Sequence, residues 1–235
     1  MTEHRIVSHD EWLQARKALL AEEKQFTRAR DELTRRRREL PWERVETEYV
    51  FEGENGPETL AELFSGRSQL VVYHFMFGPD DDVGCKHCSF WADNFDPIVI
   101  HLAARDTTMV AISRAPLGKL LAYRRRMGWS FPWLSSSGNS FNADLGVAFE
   151  PDQLAEPAYN YGMPPGFPDR EGVSVFFRAV DGAIFHTYSA YARGIDLLNT
   201  AYNYIDLTPK GRAEEDRGPQ YWVERHDEYA PAVST

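Results

Sequence analysis

The sequence predicts an α/β domain in which a strand–helix–strand unit is followed by a β-hairpin and a final helix. Two segments, 70–77 and 107–113, are rich in β-branched and aromatic residues with little alternation, which is typical of strands buried on both faces. An apolar-periodic segment, 88–104, lies between them, so we expect parallel strands joined by a right-handed crossover. Asp181-Gly182, between two further β-rich segments, predicts a two-residue hairpin turn.

The first predicted element is one long helix over residues 8–40. Ser8, with Glu11 three residues later, forms a capping-box pattern, and Pro41 supplies a stop. Four consecutive arginines at 35–38 are interpreted as a solvated helix face. We therefore predict a helical extension over residues 1–41, with two alternatives for what it packs against: the acidic remainder of the protein, or a second copy of the chain in a homo-oligomer.

The other elements are assigned from periodicity and from turn residues. Residues 42–207 are predicted to form the α/β domain, and the polar residues 208–235 a C-terminal tail. Within the domain we predict a strand at 45–51, a turn at 54–57, a helical turn at 59–64, a helix at 117–127, a short strand at 131–134, a long Gly/Pro-rich connection at 161–168, hairpin strands at 173–180 and 183–188, and a helix at 195–207.

Composition excludes several classes of protein. The chain has 235 residues, which suits one elaborated domain, and 26 basic against 36 acidic side chains give a net charge of −10. That charge argues against nucleic acid or an anionic membrane as the main partner. The longest apolar run is too short for a membrane helix, and the N-terminal residues lack an apolar secretory segment, so we expect a cytoplasmic protein.

The two cysteines, Cys85 and Cys88, are separated by only two residues, and three interpretations compete. A structural zinc site would need four ligands; His101 follows at finger-like spacing, but no second histidine lies three to five residues after it. Two buried thiols that happen to be neighbours are a second interpretation, although the polar residues around the pair indicate an exposed rim. The third is dithiol redox chemistry, which a CxxC after a buried strand and at the start of a helix favours.

In the redox interpretation Cys85 is the nucleophile and Cys88 the resolving thiol. Cys85 lies near the unpaired N–H groups of the helix N-terminus, which lower the pKa of its thiol, and Cys88 follows about one turn later. Lys86 and His87 place positive charge beside Cys85, which favours its thiolate and hence the reduced dithiol. We therefore count Cys85, Cys88 and His87 as candidate catalytic residues, with no metal and no cofactor.

Four motifs carry a resemblance to a known family. They are GCKHCSFWADNF at 84–95, SRAP at 113–116, RMGWSFPW at 126–133 and HTYSAYARG at 186–194. The chain resembles a bacterial family of thioredoxin-like proteins long labelled a domain of unknown function. The resemblance implies a thioredoxin-like fold with a βαβ–ββα core, peroxiredoxin-like elaborations and the long N-terminal helix already predicted.

The chain departs from the better-known branches of that superfamily. Peroxiredoxins carry Pro and Thr at set spacing before the peroxidatic cysteine, whereas Asp82 lies three residues before Cys85. Thioredoxins place a cis-proline opposite the dithiol, and the corresponding region here, 171–174, has none, so substrate docking beside Val173 is altered. Arg114 follows the second core strand, where ligands meet α/β sheets, and Trp91 lies on the CxxC helix.

We therefore count Arg114, Trp91 and Val173 as candidate substrate-binding residues. The function predicted is a thiol–disulfide oxidoreductase, or thiol-dependent reductase, that cycles a Cys85–Cys88 disulfide. Two alternatives stay open: a thiol peroxidase with Cys85 as peroxidatic cysteine, and a non-enzymatic redox sensor or binding protein. The expected partners are a thiol or disulfide substrate, either protein or small molecule, and a cellular thiol reductant.

Overall fold

A computed structural model describes residues 4–230 and divides the chain into two compact units, with the boundary between Pro41 and Trp42. The first unit is helix α1 (His9–Arg37). Its predicted capping box is present: the Ser8 hydroxyl accepts the Glu11 backbone N–H at 3.3 Å, and the Glu11 carboxylate accepts the Ser8 N–H at 3.0 Å. No residue of α1 is buried.

The second unit contains eight strands: β1 (Glu43–Arg44), β2 (Val50–Gly53), β3 (Gly56–Thr59), β4 (Gln69–His74), β5 (Thr107–Ser113), β6 (Trp133–Ser135), β7 (Gly172–Arg178) and β8 (Ile184–Tyr191). They form one sheet in the order β1-β8-β7-β4-β5-β6-β2-β3. β4 is parallel to β5 and β5 to β6, while β7 lies antiparallel to β4 and to β8. This confirms the thioredoxin-like βαβ–ββα core, preceded by the β2–β3 hairpin.

Strand β4 separates two hydrophobic clusters. Leu70 and Val72 face one cluster, and Tyr73 faces the other, which also contains Cys88. A strand covered on both faces needs apolar side chains at successive positions, which is why its sequence shows no alternation. The helices of this unit are α2 (Leu60–Leu63), α3 (Lys86–Ala92), α4 (Phe95–Ala103), α5 (Leu117–Arg126), α6 (Phe141–Asp144) and α7 (Thr200–Ile205).

Two predicted helices are each divided. The 88–104 segment forms α3 and α4, and the break falls before Phe95 rather than at Pro97. Pro97 occupies the first turn of α4, where a missing N–H costs no intrahelical hydrogen bond. The predicted 195–207 helix is a 3₁₀ segment (Ala192–Leu198) followed by α7, because the Asn199 side chain accepts the Tyr202 N–H at 3.1 Å and starts a new helix.

The strand predicted at 45–51 is wrong in its limits, since pairing is confined to β1 and to β2. The turn predicted at 54–57 is also shorter, because Gly56 and Pro57 already belong to β3. β3 is the last strand of the sheet, so the missing N–H of Pro57 is tolerated at that edge.

Within residues 4–230 no helix has both the length and the apolar character needed to cross a bilayer.

Candidate functional site

The two cysteines lie at the C-terminal end of β4, at the beginning of α3. Backbone hydrogen bonds hold them there: the Cys85 N–H donates to the Met76 carbonyl at 3.1 Å, and the Met76 N–H donates to the Cys88 sulfur at 3.4 Å. Cys85 is the N-cap residue of α3 and is half-buried, whereas Cys88 is 2% exposed. Both are free thiols in this structure.

The surroundings push the two thiols in opposite directions. The pKa of Cys85 is held well below its ordinary value, first by a hydrogen bond from the Cys88 thiol and then by His87 and the Cys88 backbone N–H, while burial opposes them. The pKa of Cys88 is raised well above its ordinary value by burial, then by Cys85 and by the negative charge of Glu171. Cys85 is therefore the thiol that ionises at the lower pH.

A cavity of about 1180 Å³ opens beside the thiols. Its lining combines apolar and charged side chains from five parts of the second unit. The lining residues nearest to the cysteines in sequence are Val83, Gly84 and His87, and the more distant ones include Tyr73, Trp91, Phe167, Glu171, Arg193, Asp196, Tyr202, Arg212, Glu214 and Arg225.

Tyr73 and Glu171 are site residues that the sequence alone did not indicate. Tyr73 is 1% exposed, and its hydroxyl has no hydrogen-bond partner among the described residues. Its pKa is raised well above the ordinary value by burial and by the adjacent Cys88. In the sequence Tyr73 is indistinguishable from a core residue of a buried strand, and the only signal for Glu171 was its place in the region expected to face the dithiol.

The C-terminal segment, defined here as residues 214–228, runs along helix α3. The Lys86 ammonium pairs with Glu224 at 3.2 Å. The Arg225 guanidinium donates to the Gly84 carbonyl at 2.8 Å, and His226 Nδ1 lies 2.7 Å from Asp93. Lys86 lies between the cysteines, Gly84 directly precedes them and Asp93 is the C-cap of α3. Three consecutive residues of the segment therefore contact both ends of this helix.

A directed hydrogen-bond chain connects Arg225 to the backbone of Cys85. Arg225 Nε donates to the Tyr123 hydroxyl at 2.8 Å, Tyr123 lies 2.9 Å from the Ser89 hydroxyl, and Ser89 donates to the Cys85 carbonyl at 2.9 Å. Because a guanidinium only donates and a carbonyl only accepts, Tyr123 must donate to Ser89. Burial raises the pKa of Tyr123, which keeps that donor protonated.

The packing of the Tyr123 and Phe75 rings leaves no room for a side chain at Gly84. A Cβ atom at this position would lie 2.8 Å from the Tyr123 ring and 3.0 Å from the Phe75 ring, closer than real side chains approach. The Gly84 carbonyl accepts hydrogen bonds from the Arg225 guanidinium. Gly84 therefore joins the CxxC to the C-terminal segment.

Comparison with known proteins decides the family. The family model described as a bacterial protein of unknown function, DUF899, matches residues 1–229. The chain belongs to the DUF899 family. No functionally curated protein matches it.

Three solved structures are similar to this DUF899 chain at low identity. Peroxidoxin BcpB from Mycobacterium tuberculosis is 15% identical with a TM-score of 0.45, over 70% of this chain and 96% of that one. Peroxiredoxin Q from Xanthomonas campestris is 12% identical with a TM-score of 0.45, over 65% and 85%. A mutant of PrxQ from Xylella fastidiosa is 12% identical with a TM-score of 0.42, over 66% and 89%.

The predicted site residues of this DUF899 chain separate into two groups. Cys85, Cys88, His87 and Trp91 line the same cavity, and the Trp91 indole donates to the Ile195 carbonyl at 3.1 Å. Arg114 does not line it.

Arg114 instead forms a bidentate ion pair with Asp169 at 2.7 and 2.8 Å, and Asp169 is the partner that reaches the cavity. Val173 pairs with Tyr73 across β4 and β7 and is 5% exposed within the core cluster. Neither Arg114 nor Val173 lines the cavity itself; each contacts a residue that does, Asp169 and Tyr73 respectively.

The surroundings of the cysteines offer no further metal ligands among the described residues. Across residues 4–230 no group of three or more His, Cys, Asp or Glu side chains is arranged to hold a metal ion. His101, the histidine at finger-like spacing, belongs to α4 and does not line the cavity. The donor set at the CxxC is therefore two sulfurs, half of a tetrahedral zinc shell.

Proposed function

We propose that this protein is a thiol–disulfide oxidoreductase that acts as a thiol-dependent reductase through Cys85 and Cys88. The observation that carries the proposal is the pairing of a half-buried, low-pKa Cys85 with a fully buried, high-pKa Cys88 at one cavity. An attacking thiol needs ionisation and access, whereas a resolving thiol needs protection until the mixed disulfide has formed. The arrangement supplies both.

The reaction follows from these properties. The Cys85 thiolate attacks one sulfur of a substrate disulfide, so a Cys85–substrate bond forms and the first substrate thiolate leaves. Cys88 then loses its proton to solvent and attacks the Cys85 sulfur, which releases the second substrate thiolate and forms the Cys85–Cys88 disulfide. Two electrons have passed from the dithiol to the substrate, and a cellular thiol reductant restores the dithiol.

The direction of the cycle follows from the expected compartment. We propose a cytoplasmic location, where the glutathione pool keeps thiols reduced. The stabilised Cys85 thiolate also favours the reduced dithiol. Both effects keep the resting protein in the reduced form. Stabilisation of the reduced form also makes the couple a weaker reductant, so we propose that its substrates are disulfides of higher potential.

Stopped-flow oxidation of the reduced protein tests the proposal. The reduced dithiol is mixed with a model disulfide, hydrogen peroxide or an alkyl hydroperoxide, and formation of the Cys85–Cys88 disulfide is followed by tryptophan fluorescence and mass. Rapid reaction with the disulfide and slow reaction with the peroxides is the expected result. Rapid reaction with a peroxide instead makes Cys85 a peroxidatic cysteine, and the absence of both reactions removes the enzymatic role.

A further inference from the structure

The C-terminal segment forms one wall of the Cys85 cavity. Glu214, Pro219, Gln220 and Arg225 of this segment line the cavity. The other walls come from the 167–171 connection and from residues 192–212. Cys85 therefore lies in a concave space lined by several chain segments.

The interior part of this wall is held by buried contacts. One carboxylate oxygen of Glu214 accepts hydrogen bonds from the Tyr202 hydroxyl and from the Trp222 indole, both at 2.9 Å. The Trp222 ring packs edge-on against Phe90 at 5.4 Å, and Val223 is fully buried. Apolar burial and hydrogen bonds to a charged acceptor together hold the segment against α3.

The outer part of the wall is held by charge. Arg126 forms ion pairs with Asp227 at 2.7 Å and with Glu228 at 2.7 Å, and Arg225 also pairs with Glu228 at 3.0 Å. Single exposed ion pairs contribute little, but these share partners within one network. The wall is therefore fixed at both of its ends.

We infer that the site takes a low-molecular-weight disulfide in preference to a disulfide of a folded protein. The inference rests on the proposed function and names its substrate class. Small-molecule sites usually enclose about 300–1,000 Å³, and the cavity of about 1180 Å³ is of that order. A small disulfide can enter this space and align its S–S bond with the Cys85 sulfur, whereas a folded protein meets the wall first.

The chemistry within the cavity suits a polar disulfide. Arg193 and Arg212 line one side with Asp196 and Glu214, so both signs of charge are present beside the apolar surfaces of Trp91 and Phe167. Asp196 pairs with Arg212 at 2.9 Å and with Arg193 at 3.4 Å, and the Arg193 side chain is 89% exposed. Arg193 is therefore the group open to a carboxylate of the disulfide, while the carbon chain of the disulfide covers the exposed Phe167 ring. Glutathione disulfide and cystine have this chemistry and serve as probes.

The test compares three oxidants of the fully reduced wild-type protein: glutathione disulfide, cystine and insulin. Each rate constant is divided by that of dithiothreitol with the same oxidant, which removes the intrinsic reactivity of the disulfide. The normalised preference for the small disulfides over insulin should be roughly tenfold or more, equivalent to about 1.4 kcal/mol of barrier. Equal normalised rates would overturn the substrate class alone, and no reaction with any disulfide would overturn the proposed function with it.

Two variants of adjacent aromatic residues test whether the wall is the cause. Trp222→Ala removes the contact with Phe90 and the bond to Glu214, so the preference against insulin should fall several-fold; Trp222→Phe, which keeps the ring, should lower it less. Tyr221→Ala is the matched control, because Tyr221 is exposed and stacks on Arg217. An unchanged preference in both Trp222 variants, with folding verified by circular dichroism, would overturn the inference.

Discussion

The guanidinium of Arg225 donates two hydrogen bonds to the carbonyl of Gly84, at 2.8 Å from Nη2 and 3.3 Å from Nε. Through Tyr123 and Ser89 it also reaches the carbonyl of Cys85. Two successive carbonyls before α3 are thus held by one side chain of the C-terminal segment. With both carbonyls fixed, the backbone N–H groups that follow stay aligned toward the Cys85 sulfur.

Arg225→Gln should therefore slow the alkylation of Cys85. A glutamine cannot donate to both the Gly84 carbonyl and the Tyr123 hydroxyl as Arg225 does. The Cys85 thiolate then loses its alignment with the Cys88 N–H, and the pKa of Cys85 rises. At pH 7 we expect an iodoacetamide rate roughly three- to tenfold lower, in line with about 1.4 kcal/mol per tenfold change. Tyr123→Phe, which breaks the same chain while keeping the ring, should act in the same direction.

Arg217→Gln is the matched control for Arg225→Gln. Arg217 lies in the same segment, and its guanidinium rests on the exposed Tyr221 ring. Its removal should leave the pH dependence of Cys85 alkylation unchanged. If the Arg225 and Arg217 variants give the same profile, Arg225 stabilises the fold and does not position Cys85.

How much of this site the sequence predicts depends on the range of the interactions. Strand β5 matches its prediction at both ends because a β-branched run bounded by polar residues is a local signal. The Cys85–Cys88 spacing is equally local. Arg225 and Gly84 are 141 residues apart, and an arginine that binds a main-chain carbonyl leaves no pattern in the sequence.

The C-terminal segment was predicted as a polar tail for a related reason. It forms no helix or strand after α7 within the described residues, so neither periodicity marks it. Its attachment depends on separate contacts, of which the burial of Val223 is the most apolar. The break at Asn199 is not predicted from the sequence, because an asparagine inside an apolar-periodic segment is compatible with a continuous helix; only its side chain, which caps the next helix, reveals the break.

The two cysteines should behave differently when each is replaced. Cys85→Ser should abolish disulfide exchange, whereas Cys88→Ser should leave a reactive Cys85 that accumulates mixed disulfides, detected by intact mass. Because the Cys88 thiol is the largest cause of the low Cys85 pKa, Cys88→Ala should slow alkylation of Cys85 at pH 7 more than Cys88→Ser, which keeps a donor. Faster alkylation of Cys88 than of Cys85 in the wild type would reverse the assigned roles.

His87→Ala should raise the pKa of Cys85 and make the dithiol couple more reducing. His87 lowers the pKa of the Cys85 thiol, which stabilises the reduced form, so its removal favours the disulfide. A glutathione redox titration should show a potential more negative by up to roughly 30 mV, which corresponds to about 1.4 kcal/mol. His101→Ala, on α4, is the control; a potential that moves equally in both variants would leave His87 without a specific effect.

The stability of the protein should fall in mild acid because of His74. Burial, and then the neighbouring His186, lower the pKa of His74 to about 3. Its Nε2 lies 2.9 Å from the Ser174 hydroxyl, and its Nδ1 is buried without a partner among the described residues. The unfolded chain binds a proton near pH 6.5, whereas the folded protein resists protonation of His74 until about pH 3.

His74 therefore stabilises the fold fully above pH 6.5, and this contribution is lost as the pH falls from 6.5 toward 3. The loss should reach about 1.4 kcal/mol per pH unit within that window. Urea unfolding of the wild type and of His74→Gln between pH 4 and 8 measures it. The difference in unfolding free energy should narrow as the pH falls, and a difference independent of pH would contradict the assignment.

The exposed side of α1 should mediate self-association of the chain. Four large apolar residues, Trp12, Leu19, Phe26 and Leu33, are spaced seven residues apart and are 53%, 52%, 70% and 53% exposed. A seven-residue apolar repeat keeps one stripe facing a partner helix in a left-handed supercoil. A helix with no buried residue gains little stability from propensity alone, so this stripe is expected to be covered.

If two copies pair through α1, the charges of the helix favour an antiparallel arrangement. Residues 9–23 carry four acidic and two basic side chains, net −2, whereas residues 24–38 carry seven basic and two acidic, net +5. Antiparallel pairing sets each acidic half beside a basic half, and parallel pairing would set the two basic halves together. Sedimentation velocity of the full chain should therefore show a dimer whose dissociation increases with salt.

Phe26→Lys tests the stripe at its most exposed position, near the middle of the helix. A lysine there places a charge in the apolar seam, so the variant should sediment as a monomer at concentrations where the wild type is dimeric. Gln25→Lys adds the same charge to the adjacent, exposed position off the stripe and should leave the dimer intact. A wild-type chain that remains monomeric at every concentration, or a Phe26→Lys dimer as stable as the wild type, would show that this stripe does not join two copies.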